Sequence, residues 1–168
     1  VRLVRVLLAL VAGFAAGLYI VQRFEVVNLL KAPIAPYLKI TGGKLVAQSP
    51  TEPVMITLKL ALVVGLVLAS PVLIFQIWGF FSPALYAKEK RVVVPALAFG
   101  LLLFCTGGVF AFLYLLPRSL PILLGFQTEG IEILITFDNY FSFVVQLVLA
   151  MGICFEIPLI MILLGALG

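Results

Sequence analysis

Of the seven acidic residues in this 168-residue chain, one stands where a charge is expensive. Glu156 lies inside the apolar run Ile153-Cys154-Phe155-Glu156-Ile157-Pro158. An ionised carboxylate at the centre of a membrane helix costs about 2.5–3.5 kcal/mol on insertion scales, so it must be protonated, paired or turned toward a wet cavity. Pro158 has no N–H and leaves the Cys154 carbonyl without its helical donor, which puts a second polar atom close to the acid. The plainer reading is a protonated acid satisfied by a neighbouring helix. Glu89 is flanked by Lys88, Lys90 and Arg91, and on its residue types alone it is a solvated charge in a basic run. Cys105 and Cys154 sit in apolar runs without ligand spacing, and the chain has no histidine. That pattern gives no metal site, no Ser-His-Asp chemistry and no nucleophile–base pair for an intramembrane hydrolase. The net charge of +4 is scattered, with no basic stripe for nucleic acid, so anionic lipid head groups are the natural partners of the basic residues.

The elements that position these residues follow from composition. With 64% hydrophobic and 11% charged residues, and a mean hydropathy of +1.30, the chain cannot coat itself with polar surface, and lipid must be its solvent. The apolar runs are continuous and do not alternate, which selects helices over a barrel. The reading is an all-α, polytopic transmembrane bundle forming one domain over 1–168. Its spans fall at about 3–21, 54–80, 92–116 and 139–164, joined by loops 22–53, 81–91 and 117–138. Nothing in the first span resembles a small-residue cleavage site, so it stays in the mature protein. Ala9, Gly13 and Gly17 form one small-residue stripe and Ala61, Gly65 and Ala69 another, each able to bring helix backbones close.

Pro71 should kink the second span by freeing the Val67 carbonyl. Gln76 is a polar residue in the same span, and Trp78, Phe80, Phe81 and Tyr86 suit a head-group level. In the first loop Pro33, Pro36 and Gly42-Gly43 break regular structure, leaving one short interfacial helix near Val26 to Lys31. Ser49-Pro50-Thr51-Glu52-Pro53 reads as a cap and first turn for the second span. The apolar stretches Leu120–Phe126 and Ile131–Ile135 should lie against the membrane surface. Orientation is balanced: Arg2, Arg5, Lys88, Lys90 and Arg91 fall on one side, and Arg23, Lys31, Lys39, Lys44 and Arg118 on the other. The density of the short basic connection tilts the N-terminus inward.

Several stretches together are specific. They are Ser49-Pro-Thr-Glu-Pro53, Ser70-Pro71 with Gln76-Ile-Trp78, Phe81-Ser-Pro-Ala-Leu-Tyr-Ala-Lys-Glu-Lys-Arg91, Phe110-Ala-Phe112 with Pro117, and Tyr140-Phe-Ser-Phe143 with Phe155-Glu-Ile-Pro158. On these the chain resembles, nearly end to end, the TatC family, the multi-spanning receptor subunit of the twin-arginine protein translocase. The resemblance implies six spans with both termini cytoplasmic, folded into a concave, glove-like wall. It implies a bacterial cytoplasmic (inner) membrane, with the thylakoid membrane as the alternative. It further implies a signal-peptide receptor and assembly scaffold for export of folded proteins, driven by the proton-motive force, with no reaction or cofactor of its own.

Residue by residue, the family's glutamate in the connection between the second and third spans falls on Glu89. Arg2, Phe80, Pro83 and Tyr86 are the accompanying signal-peptide residues. A carboxylate suits a guanidinium because it accepts two parallel hydrogen bonds. The basic neighbours oppose this, so a second acidic contribution is expected from the family's Glu-Leu-Arg stretch, which would lie upstream of Val1. Spans five and six would likewise follow Gly168. The family's intramembrane glutamate falls on Glu156, on the concave side with Gln76 as a second polar contact, facing a polar group of the single-span subunits TatA or TatB. Pro33, Pro50, Thr51 and Glu52 would lie on the periplasmic side, near the deep end of a bound signal peptide. Expected partners are thus twin-arginine signal peptides, TatA, TatB, membrane lipid and further copies of the chain, with no nucleic acid. The rival is a proton-coupled transporter or channel built on Glu156. Against it stand the lack of an internal repeat and of a second deep ionisable group, since Lys59 is placed to snorkel.

Overall fold

The computed structural model describes residues 2–40, 44–81, 87–126 and 134–167. Within them the regular structure is helical: α1 (Arg2–Arg23), α2 (Val26–Lys31), α3 (Ala35–Ile40), α4 (Glu52–Phe81), α5 (Ala87–Phe110), a π-helical turn (Ala111–Leu115), α6 (Leu116–Gly125) and α7 (Phe137–Leu167). Four stretches are long and apolar enough to cross a membrane: Leu3–Arg23, Glu52–Leu73, Arg91–Gly125 and Phe137–Ile162. The all-α, polytopic class read from the apolar runs is the observed one.

The long helices pack as two antiparallel pairs, α1 with α4 and α5 with α7. In hydrocarbon no water drives helices together, so close backbone approach and dispersion must hold each pair. The two small-residue stripes do this by facing each other. A side chain at Gly13 would meet the Gly65 carbonyl oxygen at 2.6 Å, one at Gly65 would meet the Gly13 carbonyl oxygen at 2.7 Å, and one at Gly17 would strike the Ala61 carbonyl. The second pair uses larger knobs. The Phe104 ring occupies the space a side chain on Gly152 would need, and Phe155 does the same for Gly107.

The pairs are joined mainly at one end. Ile56, Leu60 and Ala61 of α4, Tyr140, Phe141 and Val144 of α7, Val21 of α1, Leu116 and Leu120 of α6, and Ile34 form a single buried cluster there. Both long connections cover it. The Tyr140 hydroxyl donates to the Leu30 carbonyl at 2.6 Å, and the Tyr37 hydroxyl donates to the Pro117 carbonyl at 3.2 Å. The Val46 N–H donates to the Ile135 carbonyl and the Phe137 N–H to the Val46 carbonyl, each at 3.1 Å, which ties one connection to the other. Lys59 and Asp138 add an ion pair at 2.6 Å between the starts of α4 and α7. Both side chains are about half exposed, so the pair is worth about 0.2–1 kcal/mol and not more.

The connections differ from their sequence reading in two places. The short interfacial helix appears as α2, but a second, α3, follows it, because Pro36 sits in the first turn of that helix where its missing N–H costs nothing. Helical structure also continues past Leu116 to Gly125. The π-turn precedes Pro117, and the wider turn accommodates a residue that cannot donate to the carbonyls behind it. Leu116 and Leu120 then point into the core, while Ile122, Leu123 and Phe126 stay exposed as a membrane-surface stretch would. Ile131–Ile133 lie outside the described residues.

Gly17→Val should lower stability by about 1–3 kcal/mol, because a branched side chain meets backbone that cannot move aside. Ala12→Val on the exposed face of α1 should leave it unchanged. Thermal or denaturant unfolding of the two variants in detergent checks the difference.

Candidate functional site: a trough between the helix pairs

Away from the joined end, α4 separates from α5 and α7 and leaves a cavity of about 420 Å³. Its walls are Leu62, Val63, Leu66 and Val67 of α4, Leu97, Leu101 and Phe104 of α5, and Leu149 and Leu159 of α7. Among the described residues two polar side chains line it, Ser70 and Glu156. The Glu156 carboxyl group lies against Gly100 of α5, where a side chain would come within 3.0 Å of its Oε2. Gly100 therefore makes the room the acid occupies. Among the described residues the Glu156 carboxyl group makes no ion pair and no hydrogen bond. It is half-buried in apolar surroundings, able to accept or donate a hydrogen bond to whatever enters the trough.

Ser70 has a structural task beside its exposure to the cavity. Pro71 cannot donate to the Val67 carbonyl, and the Ser70 hydroxyl takes over that carbonyl at 2.6 Å. The same logic recurs at Pro121, whose missing N–H leaves the Pro117 carbonyl to the Tyr37 hydroxyl. In lipid an unsatisfied carbonyl is costly, and at these two prolines a hydroxyl supplies the missing donor.

The residues singled out from the sequence fall at three levels. Glu156 is in the trough. Gln76 is half-buried on α4 beyond Ser70, and it is not a wall residue of the cavity. Pro33, Pro50, Thr51 and Glu52 are at the joined end. There the Glu52 carboxylate accepts the Gln48 N–H at 3.0 Å, Ser49 and Thr51 share a hydroxyl hydrogen bond at 2.8 Å, and the Thr51 N–H donates to Ser49 Oγ at 3.3 Å. This is the expected cap on α4, built from side chains of both flanks. Pro33 is half-buried in the turn before α3, next to fully buried Ile34. The start of α1 (Arg2), the end of α4 (Phe80) and the first turn of α5 (Glu89) lie toward the opposite end of their helices, as the antiparallel pairing requires. The side chains of Arg2, Phe80 and Glu89, and the whole of Pro83 and Tyr86, lie outside the described residues. Lys59, read as a snorkelling cation, is instead held by Asp138. The sequence reading missed Ser70 and Gly100 as parts of the site, although the Ser-Pro pair and the glycine were visible as a cap for a vacated carbonyl and a thinned helix face.

Four membrane-crossing stretches among the described residues, packed as two glycine-lined pairs with Glu156 in the trough between them, define a multi-pass α-helical membrane protein. The family described as "Sec-independent protein translocase protein (TatC)" matches residues 1–168. The chain is similar to the TatC protein of Aquifex aeolicus, at 39% identity over 99% of this chain and 69% of that one. It is 33% identical to the TatC protein of Escherichia coli K12 over 99% of this chain and 64% of that one. The chain thus spans about two thirds of the length of these relatives. A crystal structure of the twin-arginine translocase receptor TatC in DDM superposes with a TM-score of 0.81 at 39% identity, over 99% of this chain and 73% of that one. A second crystal structure of that receptor gives 0.78 at 40% identity, over 97% and 71%. The chain belongs to the TatC family.

Ser70→Ala should leave the Val67 carbonyl without a donor and cost about 1–3 kcal/mol, while Ser70→Thr should retain most of the stability. Unfolding midpoints of the two variants in detergent distinguish them.

Proposed function

We propose that this chain is the signal-peptide receptor and assembly scaffold of a twin-arginine translocase. It sits in a bacterial cytoplasmic membrane with the start of α1 and the α4–α5 connection in the cytoplasm and the joined end on the periplasmic side. It binds and does not catalyse, takes no cofactor, and draws on the proton-motive force. The observation that carries this reading is the agreement of its whole helical framework with solved twin-arginine translocase receptors, over 99% of the chain in one case.

In this reading Glu89, in the first turn of α5, accepts a guanidinium of the twin-arginine motif, with Arg2, Phe80, Pro83 and Tyr86 around the peptide. The placement of the start of α1, the end of α4 and the start of α5 at one end of the bundle supports that grouping. Glu156 receives a polar group on the single-span helix of TatA or TatB. Its support is the trough itself: an unpaired carboxyl group, room beside Gly100 and apolar walls suited to a helix face. Gln76 extends this polar contact toward the cytoplasmic end. Pro33, Pro50, Thr51 and Glu52 face the periplasm near the deep end of the peptide, and further copies of the chain complete the assembly. A proton-coupled transporter would move charge through a relay, and among the described residues the cavity walls carry Glu156 alone as an ionisable side chain.

Charge-assisted hydrogen bonds contribute about 1.5–3 kcal/mol, so Glu89→Gln in the full-length protein should weaken binding of a twin-arginine precursor by about tenfold or more. Photo-cross-linking from position 90 in membranes, beside an intact Glu89, checks the contact: it should be lost when the precursor arginines become lysines. Equal cross-linking to both precursors would remove Glu89 from the site.

A further inference from the structure

The joined end carries a second cavity, unrelated to the trough. It is about 500 Å³, open on one side, and lined by Lys31, Ala35, Leu38, Lys39, Lys44, Leu45 and Phe137. Three lysines thus line it together with an apolar floor. Lys31 stands over the Phe137 ring at 4.6 Å from its centroid. Neither Lys39 nor Lys44 makes an ion pair or side-chain hydrogen bond among the described residues. The described carboxylates of this end are engaged elsewhere: Glu25 with Asn28, Glu52 with the Gln48 N–H and Asp138 with Lys59. Lys31, Lys39 and Lys44 thus line the cavity with no paired carboxylate among the described residues, and an anion seated there would meet all three.

The depth of the cavity restricts what that anion is. Phe137 is the first residue of α7 and of its membrane-crossing stretch, so the floor lies at one end of that stretch. Phe24, Leu29 and Leu134 are exposed around the same end, as they would be at head-group level. A free phosphate ion would gain nothing from Ala35, Leu38, Leu45 and Phe137, whereas the glycerol backbone and upper acyl carbons of a phospholipid would cover them. We propose that this cavity binds the phosphodiester head group of an anionic phospholipid. Lys39 and Lys44 bond the phosphate oxygens, Lys31 shares its charge between the phosphate and the Phe137 ring, and the acyl chains descend beside the start of α7. The site also gives a reason for the even charge split between the two sides, since three of the five basic residues on this side line it.

The test uses the full-length protein in a neutral detergent, titrated with phosphatidylglycerol or with zwitterionic phosphatidylethanolamine, with bound lipid counted by native mass spectrometry. The parent should bind phosphatidylglycerol at least about fivefold more tightly than phosphatidylethanolamine. A surface lysine contributes about fivefold to anionic-lipid affinity, so the double variant Lys39→Gln, Lys44→Gln should lose roughly 25-fold for phosphatidylglycerol while keeping its unfolding midpoint. The double variant Lys39→Arg, Lys44→Arg should retain the affinity. Equal binding of the two lipids by the parent, or equal phosphatidylglycerol binding by the parent and the Gln variant, would overturn the proposal. Displacement of the lipid by millimolar inorganic phosphate would overturn the lipid assignment, because it would make the site one for the free ion.

Discussion

The contact on which the other features depend is the face-to-face meeting of Gly13 and Gly17 with Ala61 and Gly65. It brings two backbones close enough that no side chain fits between them, and it fixes α1 and α4 as one unit. The α5–α7 pair is fixed independently through Phe104, Gly107, Gly152 and Phe155. Two rigid pairs have only a limited shared surface, and here it is confined mainly to the cluster around Ile56, Leu60, Tyr140, Phe141 and Val144. The trough is what remains where the pairs diverge. Its polar floor is a consequence of the second pair's own packing, since Gly100 that lets α7 approach also leaves space for the Glu156 carboxyl group.

The bilayer imposes a second constraint, on carbonyl groups, and the chain answers it with hydroxyls. Pro71 and Pro121 each remove a donor from a helix, and Ser70 and Tyr37 each supply one to the carbonyl left behind. The Tyr37 bond is also a tertiary contact, joining α3 to α6 across the connections. Together with the Tyr140 bond to Leu30 and the paired backbone bonds of Val46, it turns two long connections into a cover over the buried cluster. Pro121 thus helps to position the cover instead of only bending a helix.

Much of this was legible in the sequence, for reasons that are local. Continuous apolar runs gave the long helices, the four-residue recurrence of small side chains marked two faces able to pack closely without showing that they meet each other, and a carboxylate in hydrocarbon drew attention to Glu156. What depends on distant partners was not legible. The Lys59–Asp138 pair, the Val46 bridge and the crowding at Gly100 each join residues far apart in the chain. Pro36 and Pro117 misled in the same way, because a proline ends regular structure only when its missing N–H would have been used. Glu89 marks a different boundary. Its residue type and neighbours describe a solvated charge, and only the resemblance to TatC makes it a candidate for the twin-arginine site.

The scaffold part of the reading, in which Glu156 meets a single-span subunit, rests most directly on the trough being the face that meets a partner. Leu101 lines the cavity, whereas its neighbour Leu102, at the same depth in the membrane, is 65% exposed on another face of α5. A photoreactive residue placed at each position in turn, in the full-length protein in membranes with its single-span partner subunits present, compares the two faces at equal depth. Capture of a single-span partner from position 101, reduced by Glu156→Ala and absent from position 102, is the expected result. Equal or stronger capture from position 102 would contradict it, and the trough would then be a packing gap, not a binding face.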